Sequence, residues 1–131
     1  MSKLVASVLQ IEKYDSLHIV KFECNRQTLM MMSLDLAKEL EVGTRVSLCI
    51  NPSHIAIAKN LLGELSYANQ LACSIIAIDN GELLSSIQLK FANTTLESII
   101  TLSSSQRMNL QVGDHVTVLI KASELSMVEI L

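Results

Sequence analysis

Hydroxyls and a lone cation gather at two places in the second half of this 131-residue chain. Thr101 stands before the serines Ser103, Ser104 and Ser105, and Lys121 is followed by Ala122 and Ser123. Hydroxyl donors beside a single ammonium suit a small oxyanion, which needs several hydrogen bonds and some positive charge. The serines open a helical stretch, whose start offers unpaired N–H groups and the positive end of a dipole. Taken one at a time, the serines also fit as helix caps and the lysine as a solvated charge. No G-x-S-x-G elbow or other local nucleophile signature accompanies the many serines and three histidines. The chemistry expected is reversible binding, not catalysis.

The elements that must position these residues are written twice. The segment LEVGTRVSLCI at 40–50 returns as LQVGDHVTVLI at 110–120, an offset of 70 residues between Gly43 and Gly113. An internal repeat sets the unit of folding. Each half opens with a β-rich run (5–11 and 73–78) and a polar turn (12–15 and 79–82). An alternating strand follows: Val20, Phe22 and Cys24 against Lys21 and Glu23, then Ile87, Leu89 and Phe91 against Gln88 and Lys90. A third strand ends near Ser33 or Ser103. A short helix is expected over 34–40, with Ser33 as N-cap and Gly43 beyond its end, and again over 104–110 with Gly113 beyond. Two last strands should close each unit, 45–50 with 55–58 and 115–121 with 125–130. The fold class is therefore all-β with one short helix per repeat, as two tandem OB-fold-like five-stranded barrels. Residues 1–60 and 61–131 form the two units, with 59–70 as the connection.

The halves differ where the hydroxyls lie. At the offset of 70, Met31, Ser33, Leu34, Asp35, Asn51 and Pro52 stand where the second half has Thr101, Ser103, Ser104, Ser105, Lys121 and Ala122. Met31 and Leu34 donate no hydrogen bonds, and the carboxylate of Asp35 repels an anion. The second barrel reads as the liganded copy and the first as scaffold.

Composition narrows the classes further. Half the residues are hydrophobic, with two Phe, two Tyr and no Trp, and units this small need burial against one another and against further subunits. A homo-oligomer is expected. The net charge of −3 and the few aromatics supply neither the basic groove nor the stacking platform of a nucleic-acid binder. Cys24, Cys49 and Cys73 have no C-x-x-C or zinc spacing and read as small apolar residues or unbridged thiols in a reducing compartment. With no apolar run of membrane length and no signal-peptide pattern, a cytoplasmic location without membrane contact is expected. Met30, Met31 and Met32 alternate between strand faces and do not converge on a soft metal. His18, His54 and His115 lack metal-ligand spacing.

Four segments resemble a known family. Ser66-Tyr67-Ala68-Asn69-Gln70-Leu71, Ile99-Ile100-Thr101-Leu102-Ser103-Ser104, Val112-Gly113-Asp114 and Ile120-Lys121-Ala122-Ser123 are similar to the signals of the molybdate/tungstate-binding Mop domain, also called TOBE, the transport-associated OB fold. Those signals are S-A-R-N-Q-L, T-x-x-S, G-D-x-V and I-K-A-S. The likeness covers the second half, while the first half matches in outline, so the whole resembles a tandem, di-Mop protein. The resemblance implies molybdate or tungstate as bound oxyanion, held between subunits of a homo-oligomer, with a trimer favoured. It also implies storage or homeostasis as the role, with a ligand-sensing or structural partner of a transporter or regulator as the alternative. Thr101, Ser104, Lys121, Ala122 and Ser123 match one part of such a pocket. Ser66, Tyr67, Ala68 and Asn69 match the opening arm, which in the family reaches in from a neighbouring barrel. Ala68 replaces the family arginine, which weakens the charge compensation or shifts it to Lys59 or Arg107.

Overall fold

The structure is a computed structural model that describes residues 2–36 and 39–131. Its ten strands are β1 (Ser2–Tyr14), β2 (Leu17–Cys24), β3 (Gln27–Ser33), β4 (Arg45–Ile50), β5 (Ala56–Ala58), β6 (Asn69–Asn80), β7 (Leu84–Phe91), β8 (Thr94–Thr101), β9 (His115–Ile120) and β10 (Ser126–Ile130). The helix α1 spans Leu102–Arg107, and 3-10 turns lie at Pro52–His54 and Ala122–Glu124. The strands form two antiparallel five-stranded sheets, each curled into an OB-like barrel.

Alternation builds each sheet. Leu4, Ala6 and Val8 of β1 face inward while Lys3 and Val5 face out, and Leu71, Cys73 and Ile75 repeat this in β6. A β-bulge then shifts the register, between Val8 and Gln10 in β1 and between Ile75 and Ala77 in β6. One extra residue bends the strand and raises its twist, which lets a long strand wrap a small barrel. The Val-Gly turn fastens each bulge. The N–H of Gly43 donates to the carbonyl of Val8 at 2.8 Å, and that of Gly113 to Ile75 at 2.8 Å. Both glycines have positive φ, 94° and 95°, a backbone region that only glycine enters without strain.

The sheets are not each made from one half of the chain. Their orders are β10-β4-β1-β2-β3 and β5-β9-β6-β7-β8, so each half gives its last strand to the other. Ala56 pairs with Leu119 and Ser126 with Cys49, equivalent registers at the offset of 70. The expected pairing of 45–50 with 55–58 and of 115–121 with 125–130 is thereby corrected. After the 3-10 turn the chain continues away from its own barrel, and the partner sheet offers the unpaired edge. Exchange is reciprocal, as in an isologous dimer interface. Buried residues from both halves, among them Phe22, Leu48, Leu71 and Leu89, join in one core cluster.

Two inward polar side chains reinforce the junction. Asn69 accepts from the N–H of Met30 at 2.7 Å and donates to the carbonyl of Met30 at 2.9 Å. Ser2, its counterpart in β1, accepts from the N–H of Glu97 at 2.9 Å. Each therefore binds backbone of the facing third strand, β3 or β8, and covers part of an otherwise open edge.

Sheet registers also correct the alignment of the third strands. His18 pairs with Ser33 and Ser85 with Ile100, so the halves are offset by 67 residues there, not 70. Leu34, not Met31, stands in the place of Thr101, and Met31 in that of Ser98. The three additional residues of the second half fall between Thr101 and Leu110, where α1 forms. Of the helix expected over 34–40, Ala37 and Lys38 lie outside the described residues, and those around them are not helical. In the second half the helix begins at Leu102, two residues before the expected start.

Candidate functional site

The Lys121 segment shows how the halves diverge. In the first half Asn51 precedes its 3-10 turn, and its side-chain carbonyl accepts from the N–H of Ser53 at 3.0 Å and from the Ser53 hydroxyl at 2.9 Å. At the same place in the second half stands Lys121, with the same extended backbone and no side-chain cap. An ammonium cannot accept a hydrogen bond. The turn's amide and the Ser123 hydroxyl therefore have no side-chain oxygen in the position that Asn51 fills. A positive charge stands here where the first half has an acceptor.

Around this turn lies a cleft of about 220 Å³ lined by Met32, Ser66, Ala68, Lys121, Ala122 and Ser123. Five expected residues thus meet in one protomer: Ser66 and Ala68 from the arm before β6, and the Lys121–Ser123 run after β9. Tyr67 lines a second cleft of about 310 Å³, on which Lys121 also borders. Sequence reasoning missed Met32 as a lining residue. Its alternation with buried Met31 pointed outward, but only the packing of β3 against the second 3-10 turn brings it here.

The other expected residues do not line this cleft. Thr101 caps α1, its hydroxyl oxygen accepting from the N–H of Ser104 at 3.1 Å and its O–H donating to Ser104 Oγ at 3.0 Å. The N–H of Leu102 goes to the carbonyl of Leu83 at 2.9 Å. The helix start is thus partly satisfied internally, by the Leu83 carbonyl and the Thr101 hydroxyl. Asn69 is 1% exposed and its amide is engaged with Met30, so it fixes where the arm enters β6.

The two cations that could replace the arginine separate clearly. Lys59 donates to the carbonyls of Met108 and Asn109, both at 3.1 Å, and pairs with Asp114 at 3.3 Å. It is thus held at the C-terminal end of α1. Arg107 instead reaches Ser104 Oγ at 3.5 Å, beside Thr101. Asp114 is held below the ordinary carboxylate range, first by the Gln111 N–H that its side chain accepts at 2.9 Å and then by Lys59. No group of three or more His, Cys, Asp or Glu side chains among the described residues could hold a metal ion.

A tandem OB-like barrel with a hydroxyl- and lysine-lined cleft is the class that fold and site define. Residues 65–127 match the TOBE domain family. A molybdate-binding protein from Sporomusa ovata is 30% identical to this chain; the match covers 51% of this chain and 100% of that one, with a TM-score of 0.50. The chain belongs to the Mop/TOBE domain family. Its fold is also that of the cytoplasmic molybdate-binding protein ModG, in a crystal form with molybdate bound. That comparison gives a TM-score of 0.90 at 18% identity, over 95% of this chain and 93% of that one. No curated protein matches the chain.

Proposed function

We propose that this protein reversibly binds molybdate or tungstate at sites between subunits of a homo-oligomer, and serves their storage or homeostasis in the cytoplasm. The observation that carries this is the uncapped turn. Where Asn51 supplies an oxygen to its turn, the second half supplies Lys121 and leaves Ser123 without one. An oxyanion oxygen provides the missing acceptor and satisfies the ammonium at once. Both molybdate relatives share the fold, and one is described as cytoplasmic. Among the described residues no helix is long and apolar enough to cross a membrane.

The division of the expected residues supports interface binding. Thr101 and Ser104 line neither cleft that Lys121 borders, so one copy offers two half-sites. A second copy joins the Ser66, Tyr67, Ala68, Lys121, Ala122 and Ser123 half to the Thr101 and Ser104 half, with Asn69 fixing the arm. Arg107 beside Ser104 then supplies the charge that Ala68 lacks. Outward-facing Val5, Leu9, Ile76 and Val128 offer apolar surface for such packing. A trimer agrees with the family resemblance. In this reading residues 61–131 carry the ligand chemistry and residues 1–60 the scaffold.

Titration calorimetry with molybdate, tungstate and sulfate, together with the mass in solution by light scattering, tests the proposal. Molybdate or tungstate should bind an oligomer, sulfate should bind far more weakly, and Lys121→Ala should lose the heat. A well-folded protein that binds none of the three would leave the structural-partner alternative in its place.

A further inference from the structure

The turn that follows Lys121 carries a carboxylate into the same neighbourhood. Glu124 and Lys121 both line the 310 Å³ cleft, together with Tyr67 from the arm and Ile99 and Ile100 from β8. A carboxylate there opposes an anion and competes for the ammonium. The first half answers it with His54, whose Nδ1 lies 2.7 Å from Glu124 Oε2. His54 and Glu124 are equivalent residues of the two 3-10 turns, so the pair sits where the halves meet. No hydrogen bond or ion pair engages the Lys121 ammonium among the described residues.

Resting on the anion-binding reading above, we propose that His54 is a positioning residue for the Lys121 cleft, engaging Glu124 so that Lys121 stays available and anion uptake is coupled to a proton. The Nδ1–H donates to the carboxylate whether the imidazole is neutral or charged; only the net charge of the pair changes. With His54 protonated the pair is neutral and Lys121 leaves the cleft with one positive charge. With His54 neutral the carboxylate cancels Lys121. The other titratable side chain lining this cleft is Tyr67. Glu97, the carboxylate of β8, is bound to Ser86 and Gln88. Affinity therefore rises as pH falls and His54 takes up its proton. By linkage, bound anion favours the protonated imidazole.

The test is calorimetry with molybdate between about pH 6 and about pH 8, in buffers of different ionisation enthalpy, on the wild type, His54→Gln and Glu124→Gln. Wild-type affinity should fall about three- to tenfold across that range, as expected for one partly screened charge a few ångströms away. Fractional proton uptake should accompany binding at the middle of the range. His54→Gln keeps a donor but not the charge, so its affinity should stay at the wild type's high-pH level throughout, without proton uptake. Glu124→Gln should bind more tightly than wild type at the upper end. A uniform loss at every pH in both variants would assign the pair a structural role only and overturn the proposal, as would a wild-type pH slope retained in His54→Gln. Affinity independent of pH in the wild type overturns it while leaving anion binding intact. No binding at any pH overturns both readings.

Discussion

Two residue exchanges separate the halves chemically. Asn51 closes its own turn, whereas Lys121 leaves the equivalent one uncapped, open to a ligand oxygen in the proposed function. Lys121→Asn should therefore restore the cap, keep or raise stability by about 0.5–1 kcal/mol, and abolish anion binding. Thermal denaturation beside calorimetry reads both effects. Thr44 and Asp114 form the second exchange, each side chain accepting the N–H three residues before it, from Glu41 and Gln111. Asp114 does so as a carboxylate held below its ordinary range by that hydrogen bond and by Lys59. A lowered native pKa means that its contribution is full above the unfolded chain's value and lost as pH falls through the native one. Urea midpoints of wild type and Asp114→Asn should differ at pH 7 and converge in strong acid. The thiols are a further check. Cys73 is pushed up to about 12 by burial, and Cys24 is also raised by burial. All three cysteines are buried thiols, so a thiol reagent at neutral pH should label them only after unfolding.

At the scale of elements, the bulge and the Val-Gly turn act as one unit. A Cβ added at Gly113 would meet nothing within 4 Å, so bulk is not its constraint; its φ of 95° is. Gly113→Ala should cost about 1–2 kcal/mol through backbone strain alone, measurable as a lower urea midpoint with an unchanged m-value. Core packing behind these strands is less forgiving. Phe22, fully buried in β2, should cost about 3–5 kcal/mol as Phe22→Ala. Alternation made β2 and β7 legible, since one buried face leaves a period of two. The helix of the second half was legible from its serine run and the glycine beyond it, though its cap is Thr101 and not a serine; the absence of an equivalent one in the described residues of the first half was not. Three missing residues decide that, and an alignment anchored on the Val-Gly turn hides them further up the chain.

For the whole molecule the exchange of β5 and β10 matters most. Residues 1–60 alone contain β4 without the β10 that covers its outer edge, and residues 61–131 alone contain β9 without β5. Each fragment should be poorly folded by circular dichroism, and mixing the two should restore the strand signal. The exchange also places His54 of one half against Glu124 of the other and Met32 against the Lys121 turn. The ligand chemistry assigned to the second half is thus framed by the first.

The sequence by itself determined the repeat, the barrel class, the alternating core and the residues lining the 220 Å³ cleft apart from Met32. Those features are local: a period of two, a glycine that must turn left-handed, a lysine where an acceptor would be. Only the tertiary structure decided which sheet each last strand joins, that Asn69 is spent on Met30, that Lys59 caps α1, and that Thr101 lines neither cleft that Lys121 borders. Each of these rests on contacts between residues tens of positions apart. Pattern along the chain says which face is buried, but not against which partner.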